Sequence, residues 1–154
     1  NLSQNRLASL NMVDDVRVFA GCLSGQRDWP LVKAMKHDGW RVRDCLAHKE
    51  LRVVERTDDA GRPKFRFEVL LEANHKPFQG FNRAQAAVVE AAILATRLEF
   101  LSPAKIKSEM RYLKIAIGKT AGERELEAWG WLIKLIDQHP KHEGLIRHLE
   151  NESS

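Results

Sequence analysis

Residues 50–72, ELRVVERTDDAGRPKFRFEVLLE, contain two β-prone runs joined by a turn cluster at residues 58–61. In the second run, the apolar residues from Phe65 to Leu71 alternate with residues that are mostly charged. An alternation with a period of two is typical of a strand with one face in the core and the other in water. The stretch therefore predicts a β-hairpin.

A further strand and a short helix are predicted upstream of this hairpin. The apolar run LASLNMV, residues 7–13, ends at Asp14 and Asp15, either of which is a suitable helix N-cap. Gly21 and Gly25 are expected to end that helix. Together with the hairpin, the run predicts three strands, which are too few to close a barrel. Their edges are expected to be covered by missing sequence, by helices or by a second subunit.

The segment between the short helix and the hairpin, residues 26–44, has no clear period. The sequences DWP and HDGW within it predict turns. Their tryptophans, Trp29 and Trp40, are expected to pack beneath a loop, because an indole ring is large and mostly apolar.

Helical patterns begin after Phe81. Asn82 is a suitable N-cap, and Gln85 lies three residues later, in the capping-box position. The small and aliphatic residues that follow, up to Leu98, are typical of a buried helix.

Three charged residues, Arg83, Glu90 and Arg97, repeat along this helix at intervals of seven, which keeps them on one stripe. The interpretation we favour is a structural charge network through Glu90. The alternative is that the first helical N–H groups and Arg83 attract an anion such as a phosphate.

Two more helices are predicted downstream. Ser102 caps the first of them, with Pro103 at its first position. Thr120 and Glu123 form a capping box for the second, which Pro140 ends. The predicted buried face of this last helix contains Leu126, Trp129, Leu132, Ile133 and Ile136. Strands in one region and helices in another indicate an α+β fold.

Composition limits the possible classes of function. The chain has 154 residues, a net charge of +4, 44% apolar residues and 30% charged residues, which is typical of a folded globular protein. No apolar run approaches the roughly 20 residues that span a bilayer, and there is no signal-peptide pattern, so we expect a cytoplasmic protein without a membrane segment. Cys22 and Cys45 are expected to be reduced packing residues.

Metal, nucleotide and nucleic-acid sites receive little support. The six histidines are scattered, and the closest pair, His139 and His142, flanks a proline, so no metal site is expected. The Gly-Lys-Thr sequence at residues 118–120 lacks the earlier glycine of a phosphate-binding loop. The basic residues of the second predicted helix are more typical of a solvated face than of a nucleic-acid contact.

Three segments resemble one known family. They are FQGFNRAQAAVVEAAILATRL (residues 78–98), KTAGERELEAWGWL (residues 119–132) and NLSQNRLASLNMVDDVRVFAGCL (residues 1–23). The family consists of uncharacterised flavin-reductase-like proteins with an FMN-binding split β-barrel and a helical C-terminal extension. The resemblance implies a partial split-barrel domain at residues 1–80 and a three-helix extension at residues 81–140. The residues that follow, 141–154, are mostly polar and are expected to form a frayed tail.

The resemblance also implies a cofactor and the residues that bind it. FMN would be the cofactor, and its binding residues would be Asn1, Asn11, Asn82 and Arg83, the first at the end of a phosphate-binding segment. Split barrels of this kind form homodimers with FMN at the subunit interface. The N-terminal half of the barrel is expected to be missing before Asn1, so that this chain alone would bind flavin poorly.

The function implied is that of a flavin-dependent oxidoreductase or a flavin carrier, whose chemistry would belong to the flavin ring. No residue stands out as a catalytic acid or base, and no substrate is indicated. Two alternatives stay open: a non-catalytic interaction module with a vestigial flavin site, and a basic nucleic-acid-binding domain.

Overall fold

The computed structural model describes residues 2, 4–59 and 61–146, except for the side chains of Asp59 and Arg62. The chain divides into two compact units. The strand unit consists of the residues up to Asp14 together with Trp29–Gln79, and the helical unit consists of Asp15–Asp28 and the residues from Gly80 onward. The short helix near residue 20 therefore groups with the helices, not with the strands to which the sequence analysis assigned it.

The strand unit contains two antiparallel sheets. Its strands are β1 (Leu7–Met12), β2 (Leu31–Lys33), β3 (Trp40–Val42), β4 (Ala47–Asp59) and β5 (Arg62–Asn74). One sheet has the order β1-β4-β5, and the other is the pair β2-β3. The predicted hairpin is confirmed as β4 and β5, and the strand that begins at Leu7 joins it in the same sheet.

The apolar face of β5 is covered less than its alternation predicts. Phe65, Phe67 and Leu71 are only half-buried, and Val69 is half-exposed. Alternation shows which residues share a face of a strand, but it does not show whether another layer covers that face. The buried apolar cluster of the described residues is formed instead by residues of the helical unit.

The pair β2-β3 was missed by the sequence analysis. Each of its strands has only three residues, which is too short to reveal a period. Trp40 lies on β3 and is more than half exposed, so its predicted position beneath a loop is wrong. Of the two cysteines, Cys45 is buried as predicted, whereas Cys22 is exposed on the short helix.

The described part of the helical unit contains four α-helices, because the short helix predicted upstream belongs to it together with the three predicted at residues 81–140. They are α1 (Arg17–Ser24), α2 (Arg83–Ala95), α3 (Pro103–Thr120) and α4 (Glu123–Asp137), followed by a 3-10 turn at Pro140–His142. Val16 and Ala20 belong to the buried apolar cluster of this unit. Arg17 on α1 bonds Glu127 on α4, with 2.9 Å between Nη1 and Oε2. These contacts explain why α1 groups with the later helices.

Side-chain caps define the starts of α2 and α3 as predicted. The Asn82 side chain accepts from the Ala84 N–H, and the Gln85 side chain accepts from the Asn82 N–H, which together form the capping box. Ser102 accepts from the Lys105 N–H at 3.3 Å, with Pro103 at the first helical position.

The predicted cap of α4 is wrong. Thr120 lies in the last turn of α3, where its hydroxyl donates to the Ala116 carbonyl. The N-cap of α4 is Gly122, whose N–H donates to the Glu125 carboxylate at 2.9 Å. A hydroxyl can bond the preceding turn of a helix as readily as it can cap the next helix, so the motif alone did not distinguish the two.

The beginning of the predicted polar tail is packed. His142 and Ile146 are both buried, and the Ile146 N–H donates to the carboxylate of Asp137 at 2.9 Å. The prediction of a frayed tail is therefore wrong for residues 141–146, while residues 147–154 lie outside the described part of the chain. Among the helices that the structure describes, none has the length and apolar character needed to cross a bilayer.

Candidate functional site

Four polar side chains share one face of the sheet in the strand unit. His48 and Glu50 are two residues apart on β4, so their side chains point to the same side. The strand register places Asn11 opposite His48 and Ser9 opposite Glu50 on β1. Directly paired residues of antiparallel strands lie on the same face. The arrangement is therefore a polar patch within a β-sheet.

Glu50 anchors the segment that follows β2. Its Oε1 accepts from the Met35 N–H at 2.8 Å, and its Oε2 accepts from the Lys36 N–H at 2.6 Å. Its side chain is 0% exposed. Burial, the largest influence, opposes ionisation, but these two bonds, the His48 bond and the charge of His37 together lower the pKa of Glu50 below its ordinary value. Glu50 is therefore a buried carboxylate held in its ionised form.

Asn11 and Ser9 bind the same covering segment. Asn11 Oδ1 accepts from the Val42 N–H on β3 at 3.0 Å, and Ser9 Oγ lies 3.1 Å from Nε2 of His37. With Glu50, these side chains hold the β2-β3 pair against the polar face of the sheet. Asn11 is thus occupied by a structural bond in this unit.

Two histidines, His48 and His75, form a hydrogen-bonded series that leads from buried Glu50 to the protein surface. Nε2 of His48 is 3.3 Å from Oε1 of Glu50, and Nδ1 of His48 is 2.9 Å from Nε2 of His75. The two rings are stacked, with centroids 5.0 Å apart and planes inclined by 22°. His48 is buried, whereas His75 is exposed. Loss of surrounding water, then the neighbouring Arg41 and His48, lower the pKa of His75, so the ring is neutral at pH 7.

His75 lines a cleft at the end of the sheet, which we call the His75 cleft. Its volume is about 690 Å³, and it is lined by Met12, Leu46, Ala47, Asn74, His75, Lys76, Pro77 and Phe78. The N–H groups of His75 and Lys76 both donate to the Leu46 carbonyl, at 2.7 and 3.1 Å. These bonds fix the backbone of the lining segment. Lys76 also bonds Asp44, with 2.8 Å between Nζ and Oδ1.

The residues proposed from the sequence as flavin ligands lie in both units. Asn1 lies outside the described residues. Asn11 is on β1, and Asn82 and Arg83 are at the start of α2. Asn82 is engaged by capping: its Oδ1 accepts from Ala84, and its Nδ2 donates to the Thr120 carbonyl at 2.8 Å. Arg83 is exposed.

The cap gives a first prediction. Asn82→Ala should lower the free energy of unfolding by about 0.5–2 kcal/mol, because the first turn of α2 loses its side-chain acceptor. Urea unfolding followed by circular dichroism measures this loss. The matched control is Arg83→Ala, an exposed change at the next position that should stay within about 0.5 kcal/mol of the unmodified protein. Equal losses in the two variants would contradict the capping role.

The predicted charge network along α2 is wrong. Arg83, Glu90 and Arg97 are all exposed, and no ion pair involves them within the part of the chain that the structure describes. Residues seven apart are about 10 Å apart along the helix axis, which leaves exposed side chains in water. The same described residues contain no group of three or more histidine, cysteine or carboxylate side chains able to hold a metal ion.

Sequence reasoning missed His48, Glu50 and His75. A signal was present, because His48 and Glu50 lie two residues apart at the start of an apolar strand, where alternation places both on one face. Polar residues repeated at that spacing indicate a polar patch on a sheet. Their hydrogen-bond partners come from residues 35–36 and 75, which only the folded chain brings near.

The comparisons with known proteins identify one family. The model described as the N-terminal domain of the protein of unknown function DUF447 matches residues 1–76. A second model, described as protein of unknown function DUF447, matches residues 82–134. No curated protein matches the sequence.

A solved structure shares the fold. It is the crystal structure of an FMN-bound protein from Methanosarcina mazei, also of the DUF447 family. The TM-score is 0.75 and the sequence identity 17%, and the match covers 88% of this chain and 74% of that one.

These matches correct one expectation. The N-terminal half of the family's barrel was expected to be missing here, but that expectation finds no support, because the family's N-terminal domain matches from residue 1 onward. It came from the family resemblance, and the strands β1 to β5 lie within the matched range. The two models together cover most of the chain, which therefore belongs to the DUF447 family of proteins of unknown function.

Proposed function

We propose that this protein binds FMN in its strand unit and acts as a flavin-dependent oxidoreductase or flavin carrier. The proposal includes a split β-barrel that contains both sheets, a homodimer with the flavin near the subunit interface, and a cytoplasmic location. The observation that carries it is the shared fold with an FMN-bound member of the same family, over 88% of this chain. The substrate is left open.

The His75 cleft suits such a ligand in size and chemistry. Its volume of about 690 Å³ is within the 300–1,000 Å³ of typical ligand pockets. Met12, Leu46 and Phe78 offer apolar surface for a flat ring. Lys76 offers a cation for a phosphate, and Asn74 and His75 offer polar groups. FMN combines an apolar ring system with an anionic phosphate, so the lining fits the cofactor.

The chain's own residues would bind and orient the cofactor, while FMN supplies the electron-transfer chemistry. Leu46 and Phe78 would contact the ring, and Lys76 would neutralise the phosphate. Because the backbone of His75 and Lys76 is fixed by the Leu46 carbonyl, the lining is held in position before the ligand binds. A second subunit would cover the exposed side of the cleft.

An FMN titration tests the proposal. Quenching of flavin fluorescence should saturate with the unmodified protein, and Lys76→Ala should weaken the affinity by about threefold to tenfold, because an exposed cation–phosphate contact is lost. Lys119→Ala, an exposed lysine change in the helical unit, is the matched control and should leave the affinity unchanged.

The outcomes separate the candidate functions. Bleaching of the bound flavin by NADH or NADPH without oxygen would assign an oxidoreductase, and binding without bleaching would favour a carrier. A protein that shows no saturable quenching at millimolar FMN would overturn the proposal in favour of the interaction module.

A further inference from the structure

Hydrogen bonds join Glu50, His48 and His75 into one chain. Both oxygens of Glu50 accept backbone N–H groups, which favours the ionised carboxylate. An ionised carboxylate only accepts hydrogen bonds, so Nε2 of His48 carries the hydrogen in the 3.3 Å contact. In neutral His48, the other ring nitrogen, Nδ1, is then an acceptor.

The hydrogen-bond chain ends at His75, which lines the cleft. When His48 is neutral, its Nδ1 accepts, and Nε2 of His75, 2.9 Å away, donates to it. The remaining nitrogen of neutral His75, Nδ1, then carries a lone pair and is a base. His75 lines the cleft, so the base belongs to the ligand-accessible end of a chain whose other end is a buried carboxylate.

We propose that His75 is a proton-transfer residue of the His75 cleft, with His48 and Glu50 as its positioning residues. Its ligand is a weak acid that gives up an N–H or O–H proton. The ligand's bond to hydrogen breaks, its electron pair stays on the ligand, and a new N–H bond forms at His75 Nδ1. The products are a ligand anion and an imidazolium. This inference rests on the proposed function, because the ring of FMN carries an imide N–H of this kind.

The charges around the chain decide how readily His75 takes the proton. Loss of surrounding water disfavours the imidazolium most, and the neighbouring Arg41 on β3 and His48 disfavour it further. The other charged groups near the chain are His37, whose charge acts on Glu50, and the Lys76–Asp44 ion pair beside the cleft. These influences hold the pKa of His75 below its ordinary value, so the ring is neutral at pH 7 and can accept a proton.

Nitrogen-15 NMR of the histidine rings tests the Glu50–His48–His75 hydrogen-bond chain in the ligand-free protein. Both His48 and His75 should be Nε2–H tautomers at pH 7. Glu50→Gln should increase the acid dissociation constant of His75 by about threefold or more, because it removes a negative charge from the far end. Glu72→Gln, an exposed change on β5, should leave it unchanged. An Nδ1–H tautomer of His75, or equal constants in the two variants, would overturn the inference.

FMN titrations as a function of pH test the transfer itself. Below the pKa of His75, the ring already carries the proton, so the affinity of the unmodified protein should fall by up to about tenfold per pH unit. His75→Gln should lack this dependence, and the FMN phosphate titrates alike in both proteins. Binding with the same pH dependence in both would contradict the inference. Absence of FMN binding would instead contradict the proposed function, and the NMR result then decides the inference alone.

Discussion

Glu50→Ala is expected to destabilise the strand unit by about 3–5 kcal/mol, the loss typical of breaking a buried, hydrogen-bonded charge. The carboxylate is 0% exposed and accepts from two backbone N–H groups and from His48. Alanine removes the acceptor of all three donors. Urea unfolding, followed by hydrogen exchange of the β4 and β5 amides, measures the loss.

The same carboxylate should affect the acid stability of the unit. The folded-state pKa of Glu50 is lowered from its ordinary value of 4.5, so its contribution is fully present above about pH 4.5 and is lost as the pH falls through the folded-state pKa. Unmodified protein should therefore lose stability more steeply in acid than Glu50→Ala. Glu72→Ala, which removes an exposed ion pair with Lys49, is the control and should change stability by less than about 1 kcal/mol. Similar losses for Glu50→Ala and Glu72→Ala would contradict the role given to the buried carboxylate.

Leu132→Ala is expected to cost the helical unit about 2–5 kcal/mol, because it removes apolar contacts and leaves a cavity. Leu132 is 0% exposed and belongs to the buried apolar cluster. Circular dichroism at helix wavelengths during urea unfolding measures the change. Leu126→Ala on the same helix is the matched control: Leu126 is 54% exposed, and its truncation should cost less than about 1 kcal/mol. A loss for Leu132→Ala no larger than that of the control would contradict the packing described for α4.

The control also shows where periodicity misled the sequence analysis. Leu126 was assigned to the buried face of α4 with Leu132 and Ile136, but only the latter two are fully buried. Helical spacing places residues on a broad stripe, whereas burial depends on where the neighbouring helices lie. Local capping was more informative, because the Asn82 box and the Ser102 cap involve only residues close in the chain.

The site was the least predictable part of the protein. The amide oxygen of Asn11, whose role as a flavin ligand stays a prediction, accepts from the Val42 N–H, a contact that the sequence does not reveal. The residues that form the cleft and its polar chain were not singled out at all. His48 and His75 are 27 positions apart and meet through the pairing of β4 with β5. Such a meeting depends on the register and on the bonds to Leu46, neither of which leaves a local pattern.

The sequence by itself determined the α+β class, the long hairpin, and the starts of α2 and α3, because alternation and capping are short-range effects. Only the tertiary structure decided that α1 groups with the other helices. It also decided that β2 and β3, two strands of three residues each, cover the polar face of the β1-β4-β5 sheet. It alone joined Glu50 to His75 through His48. Burial and long-range hydrogen bonds depend on which distant segments meet, and that depends on the packing of the whole unit.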